Sequence, residues 1–347
     1  MTRHGLLRVD IGRGKALLLL LCFWASSLPV VAQEAKRRTL EIPSRAGAAT
    51  QPIAITEPVD WTASDAVPLV VSLHTWSGDW QQRNPELESS AAERGWLILQ
   101  PNFHGPNRSS LACGSEEAQT QIIEAVQWCC ENYPVDRQRI YLTGVSGGGH
   151  MTLLMAGRYP KIWAAASAWV GISDLKQWFQ FHDAKGGRYA KEIEASCGGR
   201  PGESEAIDLE YRKRSPISFL AAANQLPLDI AAGIHDGHTG SVPVSHSLLA
   251  FNQIAAANDE NGFDASEIES WCQKRKELPE GLVEDESWGR AVHLRRTTGK
   301  ARVTLFEGGH EGLAIGALDF LAQYQKDEPV EFNASTLTPT PLGNERP

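Results

Sequence analysis

Apolar positions along this chain fall in short, dense runs separated by stretches with helical spacing. Val67-Pro68-Leu69-Val70-Val71-Ser72-Leu73-His74 is almost continuously apolar, which suits a parallel strand covered on both faces. Trp96 to Gln100 (closed by Pro101), Trp163 to Val170, Leu228 to Ile234 (after Pro227) and Val303 to Phe306 read in the same way. Arg38 to Ile42 and Pro52 to Ile55 read as short opening strands. Between them, Leu87 to Arg94 has helical spacing and ends at Gly95. Glu116 to Glu131 reads as a long amphipathic helix with Ile122, Ile123, Val126 and Trp128 on its apolar side. Strands alternating with helices predict an α/β fold: a doubly wound, mostly parallel sheet with helices on both faces and right-handed crossovers.

Two excursions break the alternation, at about residues 175–223 and 258–300. The first is polar, with glycines and aromatics; the second is highly charged. Insertions of this kind lie over the C-terminal edge of a sheet or on its outer surface, where they can shape a cleft. The charged one reads as solvated decoration. Beyond Asp327 threonine, proline and asparagine dominate, so residues 327–347 are expected to form a disordered tail.

The N-terminus follows a targeting rule. Arg3, Arg8, Arg13 and Lys15 precede an apolar core from Ala16 to Ala25, and small residues lead to Val30-Val31-Ala32. Residues 1–32 read as a secretory signal peptide cleaved after Ala32, leaving one catalytic domain over 33–326. The core is shorter than the roughly 20 residues a membrane span needs, and no other run approaches that length. The expectation is an exported protein with no stable membrane insertion. Taking four basic residues and Asp10 from 33 Lys and Arg against 42 Asp and Glu leaves 29 against 41, about −12. That acidity argues against a nucleic-acid partner. Cys22 leaves with the leader, and Cys113, Cys129, Cys130, Cys197 and Cys272 remain. This odd number leaves the pairing open. Zinc-type cysteine spacing is absent, and no cofactor or metal is expected.

The chemistry starts at Gly144-Val145-Ser146-Gly147-Gly148, a Gly-x-Ser-x-Gly run that follows Arg139-Ile140-Tyr141-Leu142-Thr143 and precedes the helical Thr152 to Gly157. Strand, tight turn and helix are the context of a nucleophile elbow. A serine there needs a base and an orienting acid, in the chain order Ser, Asp or Glu, His, each just beyond a later strand. His310, in Phe306-Glu307-Gly308-Gly309-His310-Glu311-Gly312, lies where the base belongs. His293 and His246 read as structural or exposed, and His150 as a packing residue along the helix. Asp236 follows its strand directly in Gly233-Ile234-His235-Asp236-Gly237-His238, and Asp229 is the weaker alternative inside the strand. An oxyanion hole calls for the N–H of Gly147 and one from the loop His74-Thr75-Trp76-Ser77-Gly78, best placed on Trp76. Trp76, Trp80 and Phe103 offer cleft walls or core aromatics. His235, Asp236 and His238 would serve a rival metal reading.

From about Pro68 to Leu321 the chain resembles the α/β-hydrolases, and more narrowly the catalytic domain of the prolyl-oligopeptidase family. The carriers are Ala91-Ala92-Glu93-Arg94-Gly95-Trp96, Pro134-Val135-Asp136-Arg137-Gln138-Arg139, Arg214-Ser215-Pro216-Ile217 and Val242-Pro243-Val244-Ser245-His246-Ser247. The resemblance implies Ser146 as nucleophile, Asp236 as acid and His310 as base. Thr75 stands where the family usually has glycine, and the chain leaves no room for the family's propeller. The implied activity is a serine hydrolase working through an acyl-enzyme on a peptide, a small molecule or an acylated carbohydrate. Exported hydrolases of this type are often similar to acetyl-xylan or feruloyl esterases. The reading from a different class is a non-catalytic binding protein on the same fold.

Overall fold

The computed structural model describes residues 35–343 except 60, 63–64, 274–282 and 286–287. The leader expected at residues 1–32 lies outside them. The strands are β1 (Arg37–Pro43), β2 (Thr50–Thr56), β3 (Val67–Leu73), β4 (Leu97–Pro101), β5 (Val135–Val145), β6 (Ala165–Trp169), β7 (Leu228–Gly233), β8 (Val283–Asp285), β9 (Arg290–Thr298) and β10 (Ala301–Phe306). They form one sheet in the order β1-β2-β4-β3-β5-β6-β7-β10-β9-β8. The middle six, β4 to β10 in that order, run parallel, and antiparallel strands flank them at both ends. This is the α/β-hydrolase fold that the alternation and the motifs imply.

The helices are α1 (Pro85–Glu93), α2 (Glu116–Asn132), α3 (Gly147–Arg158), α4 (Leu175–Asp183), α5 (Arg188–Cys197), α6 (Glu205–Arg214), α7 (Ser245–Ala257), α8 (Ala265–Gln273), α9 (Ala314–Leu321) and α10 (Ala334–Leu337). Along β3 the side chains divide between two layers. Leu69 and Val71 pack with Ile122 of α2, Leu153 of α3 and Leu248 of α7. Val70 points the other way, among Leu87 of α1 and Leu318 of α9. All three are fully buried, which is why this strand is apolar at consecutive positions. Helix α2 starts where its sequence says it should: the Ser115 side chain accepts from Ala118 N at 3.0 Å, with Glu116 and Glu117 in the first turn.

The first excursion forms α4, α5 and α6. Trp178 and Phe179 of α4, Ile193 of α5 and Tyr211 of α6 close into their own apolar cluster with Trp76 and Val242. It is a cap seated on the loops that follow β3 and β7. Arg214 closes its far end by donating to Ala112 O at 2.9 Å and Ser110 O at 3.0 Å, while Glu210 accepts from its Nε at 3.0 Å.

Two expectations need correction. The charged excursion is only partly decoration, because β9 extends the sheet as the antiparallel partner of β10. Val292 and Trp288 join Trp169 and Phe306 in the interior. Within β9, Arg290, Arg295 and Arg296 stay partly or fully exposed around the buried Val292. Residues 274–282 and 286–287 of that excursion lie outside the described residues. The tail is not loose where it is described. Val330 is buried and donates its N–H to Arg137 O at 3.1 Å, and Thr340 N–H reaches Arg158 O at 2.8 Å. Phe332, Leu337 and Leu342 pack against the main core. A few well-spaced apolar residues anchor a segment whose average composition reads as disordered. Among the described residues Cys113, Cys129, Cys130, Cys197 and Cys272 are free thiols, and burial pushes that of Cys113 up to about 11.

Candidate active site

Strand β5 ends at Val145, and Ser146 has φ 61 and ψ −116, a conformation that an L side chain adopts only when its surroundings hold it there. Two neighbours do so. The Ser146 N–H donates to Trp169 O at 2.9 Å, tying the turn to β6, and α3 begins at the next residue. A Cβ on Gly147 would lie 2.3 Å from Trp76 N, so glycine is what allows the loop after β3 to come this close. The Gly147 and Trp76 backbones therefore lie against each other beside Ser146. Neither N–H donates to an acceptor among the described residues.

His310 comes to the same point from the loop after β10. Its Nε2 is 2.8 Å from Ser146 Oγ, and its Nδ1 is 2.7 Å from Asp236 Oδ2. Because a carboxylate only accepts, Nδ1 donates, and Nε2 is left to accept from the Ser146 hydroxyl. The other oxygen, Asp236 Oδ1, accepts from Gly237 N at 2.9 Å and Val242 N at 3.1 Å. The Asp236 side chain is fully buried, while that of His310 is 24% exposed. Gly240 closes the arrangement: a Cβ there would be 2.1 Å from Asp236 Oδ1 and 2.6 Å from His310 Cβ.

The loop carrying His310 is braced from below. Arg290 donates to Glu307 O at 3.1 Å and pairs with Glu311 at 3.1 Å, and Glu311 accepts from Gly309 N at 3.2 Å. His235 and His293 both bond to the Glu307 carboxylate, at 2.7 and 2.9 Å. Partial burial pushes that carboxyl up, but the hydrogen bonds from the two histidines outweigh it and hold it below the usual range. His235 thus faces Glu307, and the metal reading that joined it to Asp236 and His238 loses the geometry it needs.

The remaining sequence candidates separate cleanly. His150 is fully buried and donates through Nε2 to Arg214 O at 2.8 Å, with burial lowering its pKa to about 4. His246 is buried beside Ser173, whose Oγ donates to His246 O at 2.8 Å. Asp229 is buried inside β7, where it pairs with Arg302 at 2.7 Å and accepts from Ser167 Oγ at 3.0 Å. Phe103 is a core aromatic stacked on His74 with ring centroids 3.8 Å apart, not a cleft wall. Trp76 is 3% exposed, and its indole lies within the cap, donating to Glu192 Oε2 at 2.8 Å. Trp80 has its backbone oxygen 2.7 Å from Arg37.

The sequence profile of the prolyl oligopeptidase family matches residues 88–266, just over half of the chain. The chain belongs to the prolyl oligopeptidase family. Within the family's fold, this member is similar to the acylaminoacyl peptidase of Pyrococcus horikoshii, with a TM-score of 0.54 at 19% identity over 67% of this chain and 36% of that one. A dipeptidyl peptidase 4 of Porphyromonas gingivalis gives 0.53 at 19% identity over 65% and 31%. Among curated proteins, an acetylxylan esterase of Coprinopsis cinerea is 31% identical over 116 residues, 30% of this chain and 31% of its own. A feruloyl esterase B of Talaromyces stipitatus is 24% identical over 187 residues, 50% of this chain and 45% of its own. The matched segments thus span less than half the length of these relatives.

Against the family pattern, Thr75 in place of glycine is accommodated without positive φ, since its N–H and Oγ1 both donate to Gln82 Oε1, at 3.0 and 2.8 Å. Sequence reading passed over Gln82, Gly240 and Ser241, none of which sits in a recognisable motif. The Gly240-Ser241 pair shortly before Val242-Pro243 was the one available hint.

Proposed function

We propose that this family member is an exported serine hydrolase that cleaves carboxylic esters through an acyl-enzyme at Ser146. The observation that carries this is the continuous hydrogen-bonded line Ser146 Oγ, His310 Nε2, His310 Nδ1, Asp236 Oδ2 at 2.8 and 2.7 Å. In this reading Ser146 Oγ attacks the substrate carbonyl as its proton passes to His310. Asp236 holds the imidazole in the required tautomer and stabilises the imidazolium that forms. The N–H groups of Gly147 and Trp76 receive the developing oxyanion, each worth roughly 2.7–4 kcal/mol of transition-state stabilisation. His310 then protonates the leaving group and next activates a water to release the acyl group.

Ester substrates are favoured by the curated relatives, described as acetylxylan and feruloyl esterases. A peptidase is the second reading, favoured by the family itself. A substrate panel separates them: turnover of acetyl and feruloyl esters well above that of aminoacyl amides is expected. The reverse ranking would assign the peptidase. Export is supported by the basic start, apolar core and small-residue exit of residues 1–32. The mature protein recovered outside the cytoplasm of its source cell is expected to begin at Gln33. An intact Met1 start on protein that stays inside would refute export.

A further inference from the structure

We propose that Ser241 is a catalytic residue that holds the hydrolytic water during deacylation, an inference that rests on the acyl-enzyme reading above. The Ser241 Oγ lies 3.3 Å from His310 Nε2, the same atom that Ser146 Oγ approaches at 2.8 Å. An imidazole nitrogen has one lone pair, so two hydroxyls cannot both donate to it at full strength. In the resting enzyme the closer Ser146 hydroxyl occupies it. Once Ser146 is acylated, its Oγ has no proton to give, and Nε2 is open to another donor.

A water about 2.8 Å from both Nε2 and Ser241 Oγ closes a triangle on that 3.3 Å edge with ordinary hydrogen-bond lengths. One of its O–H bonds then points at the base and the other at Ser241, leaving an oxygen lone pair for the acyl carbon. The step balances. The water oxygen bonds to the acyl carbon while its proton moves to Nε2. The tetrahedral species collapses by breaking its bond to Ser146 Oγ, which takes that proton back, and a carboxylic acid leaves.

The backbone that carries this hydroxyl is held in place from two sides. The Ser241 carbonyl accepts from Trp178 Nε1 at 2.7 Å and from His182 Nε2 at 2.9 Å, both on α4 of the cap. The next residue, Val242, gives its N–H to Asp236 Oδ1 at 3.1 Å. The cap and the buried acid thus hold opposite sides of one peptide group, the one that joins Ser241 to Val242. A hydroxyl held this way orients a water at little entropic cost.

The test is the lifetime of the acyl-enzyme, formed from an activated aryl ester and followed by intact mass. Ser241→Ala is expected to lengthen it about tenfold, the loss of one oriented hydrogen bond. Fluorophosphonate labelling of Ser146 is expected to stay within about twofold of the wild-type rate, which also reports that the variant is folded. Ser241→Thr, which keeps the hydroxyl, is expected to restore the lifetime. An unchanged lifetime in Ser241→Ala would overturn the proposal. So would a parallel loss of labelling, which would reduce Ser241 to a support for His310. A wild-type chain that never acylates at Ser146 would fail at the earlier step, removing the acyl-enzyme reading and this one with it.

Discussion

Replacing Ser146 with alanine is expected to lower kcat on activated acyl esters by about 10⁶-fold, the scale seen when the nucleophile of such a unit is removed. The change deletes one oxygen, whose described partner is His310 Nε2. The backbone bond from Ser146 N to Trp169 O does not involve the side chain and should persist. Alanine meets much the same steric limits as serine at φ 61, so the strained turn is kept and stability should move by no more than about 1 kcal/mol. Thermal melting beside single-turnover kinetics checks both parts. Full turnover in the variant would eliminate Ser146 as nucleophile. A wild-type chain that binds acyl esters without any turnover would point instead to the binding-protein reading.

Asp236→Asn is expected to cost about 10⁴-fold in kcat while leaving substrate binding nearly unchanged. The reason is local. Asp236 Oδ1 already accepts from Gly237 and Val242 N–H, so an asparagine placed there keeps its carbonyl oxygen on those donors. Its NH₂ group must then face His310 Nδ1, where the carboxylate oxygen stood at 2.7 Å. Two donors cannot pair, so Nδ1 gives up its proton and Nε2 becomes the protonated nitrogen. That nitrogen points at Ser146 Oγ as a donor, which is the wrong role for a base. Steady-state kinetics at several pH values provide the check, and a loss below about tenfold would show that another group orients His310.

How much of this was readable in the residues depends on how local the cause is. The strand β3 was legible because burial on both faces demands apolar residues at consecutive positions. The elbow was legible because a close backbone approach demands glycine, and the position of His310 because connectivity places the base just after the last parallel strand. Strand β9 was not, since near the end of the sheet it keeps its charges and shows too little apolar signal. The ordered tail was hidden for a related reason: Val330, Phe332, Leu337 and Leu342 are few, and the core they pack against is built by distant parts of the chain.

Gln82, Gly240 and Ser241 belong to the same class. Gln82 matters because its side-chain oxygen reaches back across the loop after β3 to Thr75, and Ser241 because the cap and Asp236 hold its backbone between them. Such roles are created by the way loops fold and pack against the cap, and they leave no spacing or composition signature.

By itself, the sequence determined the layered fold, the turn at Ser146 and the order in which Ser146, Asp236 and His310 follow along the chain. Those depend on burial, backbone sterics and connectivity, all of which act through neighbouring residues. Only the tertiary structure decided that the Gly147 and Trp76 backbones lie against each other, that His235 faces Glu307, and that a second hydroxyl stands beside His310 Nε2. A hydrogen bond depends on distances of a few tenths of an ångström between groups far apart in the chain, and packing alone sets those.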